Sequence, residues 1–142
     1  MEITINRLNN AIHFEAQNSE GLTATFDGSP DAGGHGLGIR PMEGVLMSLG
    51  SCSAIDVVLI LQKMKQDLQD IQIKVSGERR EEIPRYFTKI HVHYILLGEI
   101  EEDKAARAIS LSMEKYCSVT KMLEKMVEIT HSYEISQDEK EG

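Results

Sequence analysis

Two side chains here carry a reactive group found nowhere else in the chain. Cys52 lies in RPMEGVLMSLGSCSAIDVV, and Cys117 lies 65 residues further on in EKYCSVTKML. Each sits on an apolar helical stripe beside small or polar neighbours. Two lone thiols so placed look less like a disulfide scaffold than like a nucleophile and its resolving partner. If they meet in the fold, the chemistry is thiol redox. The alternative is packing, because free cysteine behaves as a small hydrophobe and is among the most buried residue types. A thiol attacks as its thiolate, which a cation or a helix N-terminus must favour. Cys52 falls about three turns inside its helix, where the dipole helps little, so it needs a positive neighbour from elsewhere. Arg40 is the nearest candidate in sequence, and Glu43 offers a carboxylate for its planar fork. Cys117 stands near a helix start, which favours its thiolate or its role as a leaving group.

Other polar residues carry weaker signals. Asp56 is one turn beyond Cys52 on the same face. A carboxylate there raises the thiol pKa unless a cation lies between them, and a structural role as a cap or a partner of Arg40 is the simpler reading. His91 and His93 share one strand face at a spacing that could hold a metal. With no third ligand visible they read as a solvated face, and no metal is expected. His35 lies in DGSPDAGGHGLG (27–38), a flexible loop that could close over a site. That loop is poor in basic residues and lacks the GK[ST] ending of a phosphate-binding loop. Met42, Met47 and Met64 read as core filler.

The elements that must position these groups follow from periodicity. Ile3 and Ile5, then Ile12, Phe14 and Ala16, then Leu22, Ala24 and Phe26 alternate with polar residues, predicting an antiparallel meander of three short strands. From Pro41 the spacing becomes helical. Met42, Val45, Leu46, Leu49, Cys52, Ile55 and Leu59 make a stripe that ends near Lys65, predicting a central, buried helix. Gly44, Ser48 and Ser51 form a small-residue ridge suited to the close approach of another helix. Strands are predicted over 71–79 (Ile71, Ile73, Val75) and 86–97 (Ile90, Val92, Tyr94, Leu96). Glu101, Glu102 and Asp103 crowd the start of a further helix with Ala105, Ile109, Met113 and Tyr116 on its inner face. Ser118 is the expected N-cap of a short helix over 119–126. A last strand runs through Val127, Ile129, Tyr133 and Ile135. Residues 1–136 read as a single domain, and 137–142 as a flexible acidic tail.

Composition bounds the function. The chain has 142 residues, 41% of them hydrophobic, which suits one globular domain. A net charge of −8 argues against nucleic acid. The bases Arg79, Arg80 and Arg85 are interleaved with Glu78, Glu81 and Glu82. No uninterrupted apolar run reaches the ~20 residues that span a bilayer, and MEITINRL lacks the features of a signal peptide. The expectation is a cytoplasmic protein with no membrane contact.

The stretch Gly38–Val58, GIRPMEGVLMSLGSCSAIDVV, resembles the signature of the OsmC/Ohr family in its YhfA-like branch. The pattern is Pro-x-Glu (Pro41, Glu43), an apolar helix, then a small residue and Cys52 eleven positions after the proline. Tyr116-Cys117-Ser118-Val119 resembles the second family motif, and the order of strands and helices agrees over nearly the whole chain. The resemblance implies an α+β fold, with antiparallel sheets wrapped around central helices in an intertwined, obligate homodimer. It also implies reduction of organic hydroperoxides in the oxidative stress response, without a cofactor. Cys52 would be the peroxidatic thiolate that becomes a sulfenic acid. Cys117 would resolve it as a disulfide, an external dithiol would reduce that disulfide, and apolar side chains at the subunit interface would line the site.

The chain also departs from the pattern. Met42 stands where the hydroperoxide-reducing branches carry the glutamate that orients the activating arginine. Glu43, nine residues before Cys52, falls about half a turn away from it at ~100° per residue. The family's arginine comes from an N-terminal strand or loop, and Arg7 is the only arginine before Arg40. The alternative reading is therefore a non-catalytic OsmC-like dimer that binds a small ligand in an apolar cleft, with inherited cysteines.

Overall fold

A computed structural model of the chain describes residues 1–137. Of the tail expected over 137–142, all but Gln137 lies outside the described residues. The chain falls into two compact units, Met1–Val45 and Leu46–Gly142.

The first unit holds an antiparallel sheet of β1 (Thr4–Arg7), β2 (Phe14–Gln17) and β3 (Thr23–Phe26), in the order β1-β2-β3. This is the meander that the alternation predicts, and asparagines make its turns. Asn9 Oδ1 accepts from the N–H groups of Ala11 and His13, and Asn18 Oδ1 accepts from those of Glu20 and Leu22. The Arg7 guanidinium completes the first turn by donating to the carbonyls of Asn10 and Ala11. The loop after β3 is organised around Asp27 rather than loose. Its buried carboxylate accepts from the backbone N–H groups of Gly28 at 2.8 Å and of His35 and Leu37 at 3.1 Å. Burial works against that charge, but these donors and the nearby His13 hold the pKa below the usual carboxylate range.

Helix α1 (Pro41–Lys63) begins in the first unit and continues into the second. Arg40 is its N-cap residue and Pro41 its first helical residue. Glu43 reaches back to the Arg40 N–H at 2.9 Å, half of a capping box. At the other end Lys65 turns left-handed (φ 56°). Its N–H bonds Gln62 O while that of Gln66 bonds Leu61 O, so the helix closes in a Schellman motif.

The second unit is built on β4 (Asp67–Arg79), β5 (Phe87–Glu99) and β6 (Glu128–Ser136), in the order β4-β5-β6. Strands β4 and β5 pair antiparallel, as expected, but β6 lies parallel to β5. The chain must therefore return along the sheet through α2 (Glu102–Leu111), a five-residue π-turn (Ser112–Tyr116) and α3 (Ser118–Leu123). Strand β4 starts earlier than the apolar pattern indicates. Its polar first residues pair with the end of β5, and a bulge between Leu68 and Asp70 lies beside Gly98 at φ 136°.

Ile90, Val92, Tyr94 and Leu96 of β5 are buried on one face, with Ala105, Ala108, Ile109 and Met113 also in the core. Tyr116 is an exception to the predicted stripe and is exposed, because the π-turn rotates it out of the helical register. On α1 the buried line runs through Leu49, Gly50, Ser53, Val57 and Leu61, one step round from the predicted stripe. A methyl group at Gly50 would sit 2.9 Å from Val75 Cγ2, which shows how closely this face lies on β4. The predicted ridge does not serve another helix at Gly44, whose missing Cβ faces the Phe26 ring of its own unit at 3.1 Å. Despite its polar interruptions, α1 is long and apolar enough to cross a membrane by length and composition. Only 28% of its most apolar stretch is buried, so within this chain α1 lies on β4 by one face and is not the buried central helix that the periodicity predicts.

Candidate functional site

Cys52 and Asp56 are one turn apart on α1, so their side chains share a face. Cys117 arrives from the segment that connects β5 to β6. At the end of α2 the backbone takes one extra residue, and the Cys117 N–H bonds the Ser112 carbonyl at 2.8 Å, an i to i−5 bond. Such π-turns recur at functional sites. This one ends the helix with Cys117 in an extended conformation (φ −74°, ψ 103°). Cys117, not Ser118, is then the N-cap of α3, with its Sγ accepting from the Thr120 N–H at 3.4 Å.

The outcome is a cluster of three groups. Cys52 Sγ, Cys117 Sγ and an Asp56 carboxylate oxygen all lie within 4.8 Å of one another. Both cysteines are free thiols, Cys52 half-buried and Cys117 fully buried. Burial pushes the Cys117 thiol above its ordinary value. The Thr120 bonds pull it back in part, and the neighbouring Cys52 thiol adds to the rise. At neutral pH Cys117 is therefore a protonated thiol next to a more accessible one.

A line of hydroxyls backs the cluster. Ser112 Oγ donates to Asp56 Oδ2 at 3.0 Å, Ser53 Oγ lies 2.8 Å from Ser112 Oγ, and Ser53 is bonded in turn to the Tyr94 hydroxyl. Ser53, Ser112 and Tyr94 have no exposed surface. Burial, outweighing the Ser53 hydrogen bond, raises the Tyr94 pKa to about 12. Sequence reasoning did not single out these residues for chemistry. The available signal was a polar group at a core position: Ser53 between Leu49 and Val57 on α1, Ser112 beside Met113, and a tyrosine among the apolar residues of β5.

Arg40 and Glu43 lie in the first unit, joined through the Arg40 backbone N–H. Among the described residues no ion pair links the two side chains. His35 contributes its backbone N–H to Asp27. His91 and His93 line one face of β5 opposite β6. His91 bonds the Thr130 and Ser132 hydroxyls and His93 the Ser132 hydroxyl, each at 2.7 Å. Three of their four ring nitrogens are thus taken by hydroxyls, and His93 Nε2 lies 3.7 Å from a Glu134 carboxylate oxygen.

The α+β chain thus brings its two free thiols together beside a carboxylate. The model for OsmC-like proteins matches residues 34–132, and the chain belongs to the OsmC-like family. Over 96 residues it is 62% identical to Protein YhfA of Escherichia coli K12, covering 67% of this chain and 72% of that protein. A hypothetical protein from Aquifex aeolicus has the same fold, with a TM-score of 0.85, 36% identity and 97% of each chain covered. An organic hydroperoxide resistance protein from Legionella pneumophila shares the fold at a TM-score of 0.71 and 14% identity, covering 96% of this chain and 97% of that one.

Proposed function

We propose that this chain is a thiol-dependent peroxide-reducing protein acting on small apolar hydroperoxides. The observation that carries the reading is the meeting of Cys52 and Cys117, with sulfurs no more than 4.8 Å apart in a chain that has no other thiol. Their family supports it, since its fold includes organic hydroperoxide resistance proteins.

In this reading the Cys52 thiolate attacks the outer oxygen of ROOH. The S–O bond forms as the O–O bond breaks, ROH leaves with a proton, and Cys52 becomes a sulfenic acid. Cys117 then attacks the Cys52 sulfur, forming the disulfide and releasing water. An external dithiol returns both thiols by exchange. Glu43 caps the start of α1 by accepting from the Arg40 N–H. The working unit is a homodimer. Met47, Ile55 and Leu59 of α1 are 50%, 61% and 52% exposed, and Cys52, Ile55 and Leu59 follow one another at helical spacing on one face. A second copy covering that face would place Cys52 at the interface, in apolar surroundings suited to alkyl peroxides.

The test is stoichiometric. One equivalent of cumene hydroperoxide added to reduced protein should remove both thiols, and Cys117→Ser should trap a sulfenic acid at Cys52. A second reading, a ligand-binding dimer with inherited cysteines, draws on the full burial of Cys117 and on Met42 in the acid's place. It requires both thiols to survive the peroxide.

A further inference from the structure

We propose that the reduced site also binds a thiophilic divalent cation of the Zn²⁺ class, held by Cys52 Sγ, Cys117 Sγ and an Asp56 carboxylate oxygen.

Two thiolates and a carboxylate are the donor set that such a cation takes. Three protein ligands leave a fourth tetrahedral position for water. With Zn–S bonds of about 2.3 Å, two sulfurs on one tetrahedral ion stand roughly 3.8 Å apart. The donors already lie within 4.8 Å of one another, so small side-chain rotations close the site.

Two of the three donors are held in place before any cation arrives. Ser112 fixes the Asp56 carboxylate at 3.0 Å and is itself fixed by Ser53 and Tyr94. Thr120 N–H fixes Cys117 Sγ. Outer partners of this kind orient metal ligands elsewhere. Charge points the same way. With both thiols ionised, three negative groups share this space, and among the described residues no lysine, arginine or histidine forms an ion pair with Asp56. Binding exchanges two S–H protons, released to solvent, for two metal–sulfur bonds, and no electrons move. The half-buried Cys52 gives the entry side.

The inference uses the same thiols as the peroxide reading but needs no turnover. A bound cation would occupy both sulfurs and block their oxidation, and disulfide formation would expel the cation. Reduced protein is titrated without oxygen with Cd²⁺, which reports sulfur ligation by charge-transfer absorbance, and with Zn²⁺ against a chromophoric chelator. The expected result is one cation per chain, with none bound by diamide-oxidised protein. Asp56→Asn keeps both thiols and should weaken binding by about tenfold or more, while Cys52→Ser should lose the stoichiometric site. Both positions are half-buried, and circular dichroism checks that each variant folds. Absence of stoichiometric binding by reduced wild type, or equal affinity in Asp56→Asn, overturns the assignment. Thiols inert to peroxide that still bind Cd²⁺ would refute the peroxide reading alone.

Discussion

A carboxylate accepts hydrogen bonds and donates none, so Asp56 sets the direction of every hydroxyl behind it. The Ser112 proton goes to Asp56, the Ser53 proton then goes to Ser112, and the Tyr94 proton goes to Ser53. Every hydroxyl in this buried line has a partner, which is what makes the line tolerable in an apolar core. Tyr94 closes it as a protonated phenol, with a folded-state pKa of about 12 against an ordinary 10.0. A raised acid pKa stabilises the fold fully below the unfolded value and loses that stability as pH climbs through the folded one. Unfolding free energy should therefore fall by roughly 3 kcal/mol between pH 10 and 12 on account of Tyr94. Denaturant melts of Tyr94→Phe should lack that portion of the alkaline limb. The raised Cys117 thiol contributes a fall of the same sign from nearer its ordinary 9.0. At this scale the two cysteines could be read from the chain because nothing else in it shares their chemistry. The hydroxyl line could not, because Ser53, Ser112 and Tyr94 are far apart in sequence and only packing makes them neighbours.

The elements divide by how local their causes are. Both ends of α1 could be placed closely, since Pro41 and Glu43 form its N-terminal cap and the left-handed turn at Lys65 follows within two residues of its end. Which side of α1 faces the sheet was displaced by one step, because the helix is apolar nearly all round and periodicity then has little to choose between. Gly50 decides it. Alanine is ordinarily better than glycine in a helix by about 1 kcal/mol, but here the new methyl would meet Val75 Cγ2 at 2.9 Å. Overpacking of that kind costs about 1–3 kcal/mol. Gly50→Ala should therefore lower the unfolding free energy by about 1 kcal/mol where propensity alone predicts a gain, and urea unfolding checks the sign. The π-turn was hidden for a different reason. One extra residue in a helix leaves no compositional mark, yet it turns Tyr116 outward and makes Cys117 the cap of α3.

For the whole molecule, the α+β class and the order of elements followed from the sequence, while the parallel pairing of β6 did not. Alternation specifies a strand's faces but not the direction of its neighbour. The exposed apolar face of α1 belongs to this scale too, since Met47, Ile55 and Leu59 are the residues that the proposed dimer would cover. Sedimentation equilibrium should return twice the chain mass of 15.9 kDa. Ile55→Glu with Leu59→Glu should shift the protein to the monomer, whereas a wild-type monomer would exclude the dimer. The return path from β5 to β6 has one last consequence. Because Cys117 lies on it and Cys52 lies on α1, a bond between the two sulfurs would close a ring of 66 residues that takes in all of β4 and β5. By loop entropy such a crosslink disfavours the unfolded chain by about 4 kcal/mol. The oxidised protein would be the harder of the two to melt, so the redox history of the thiols would be written into the thermal resistance of the fold.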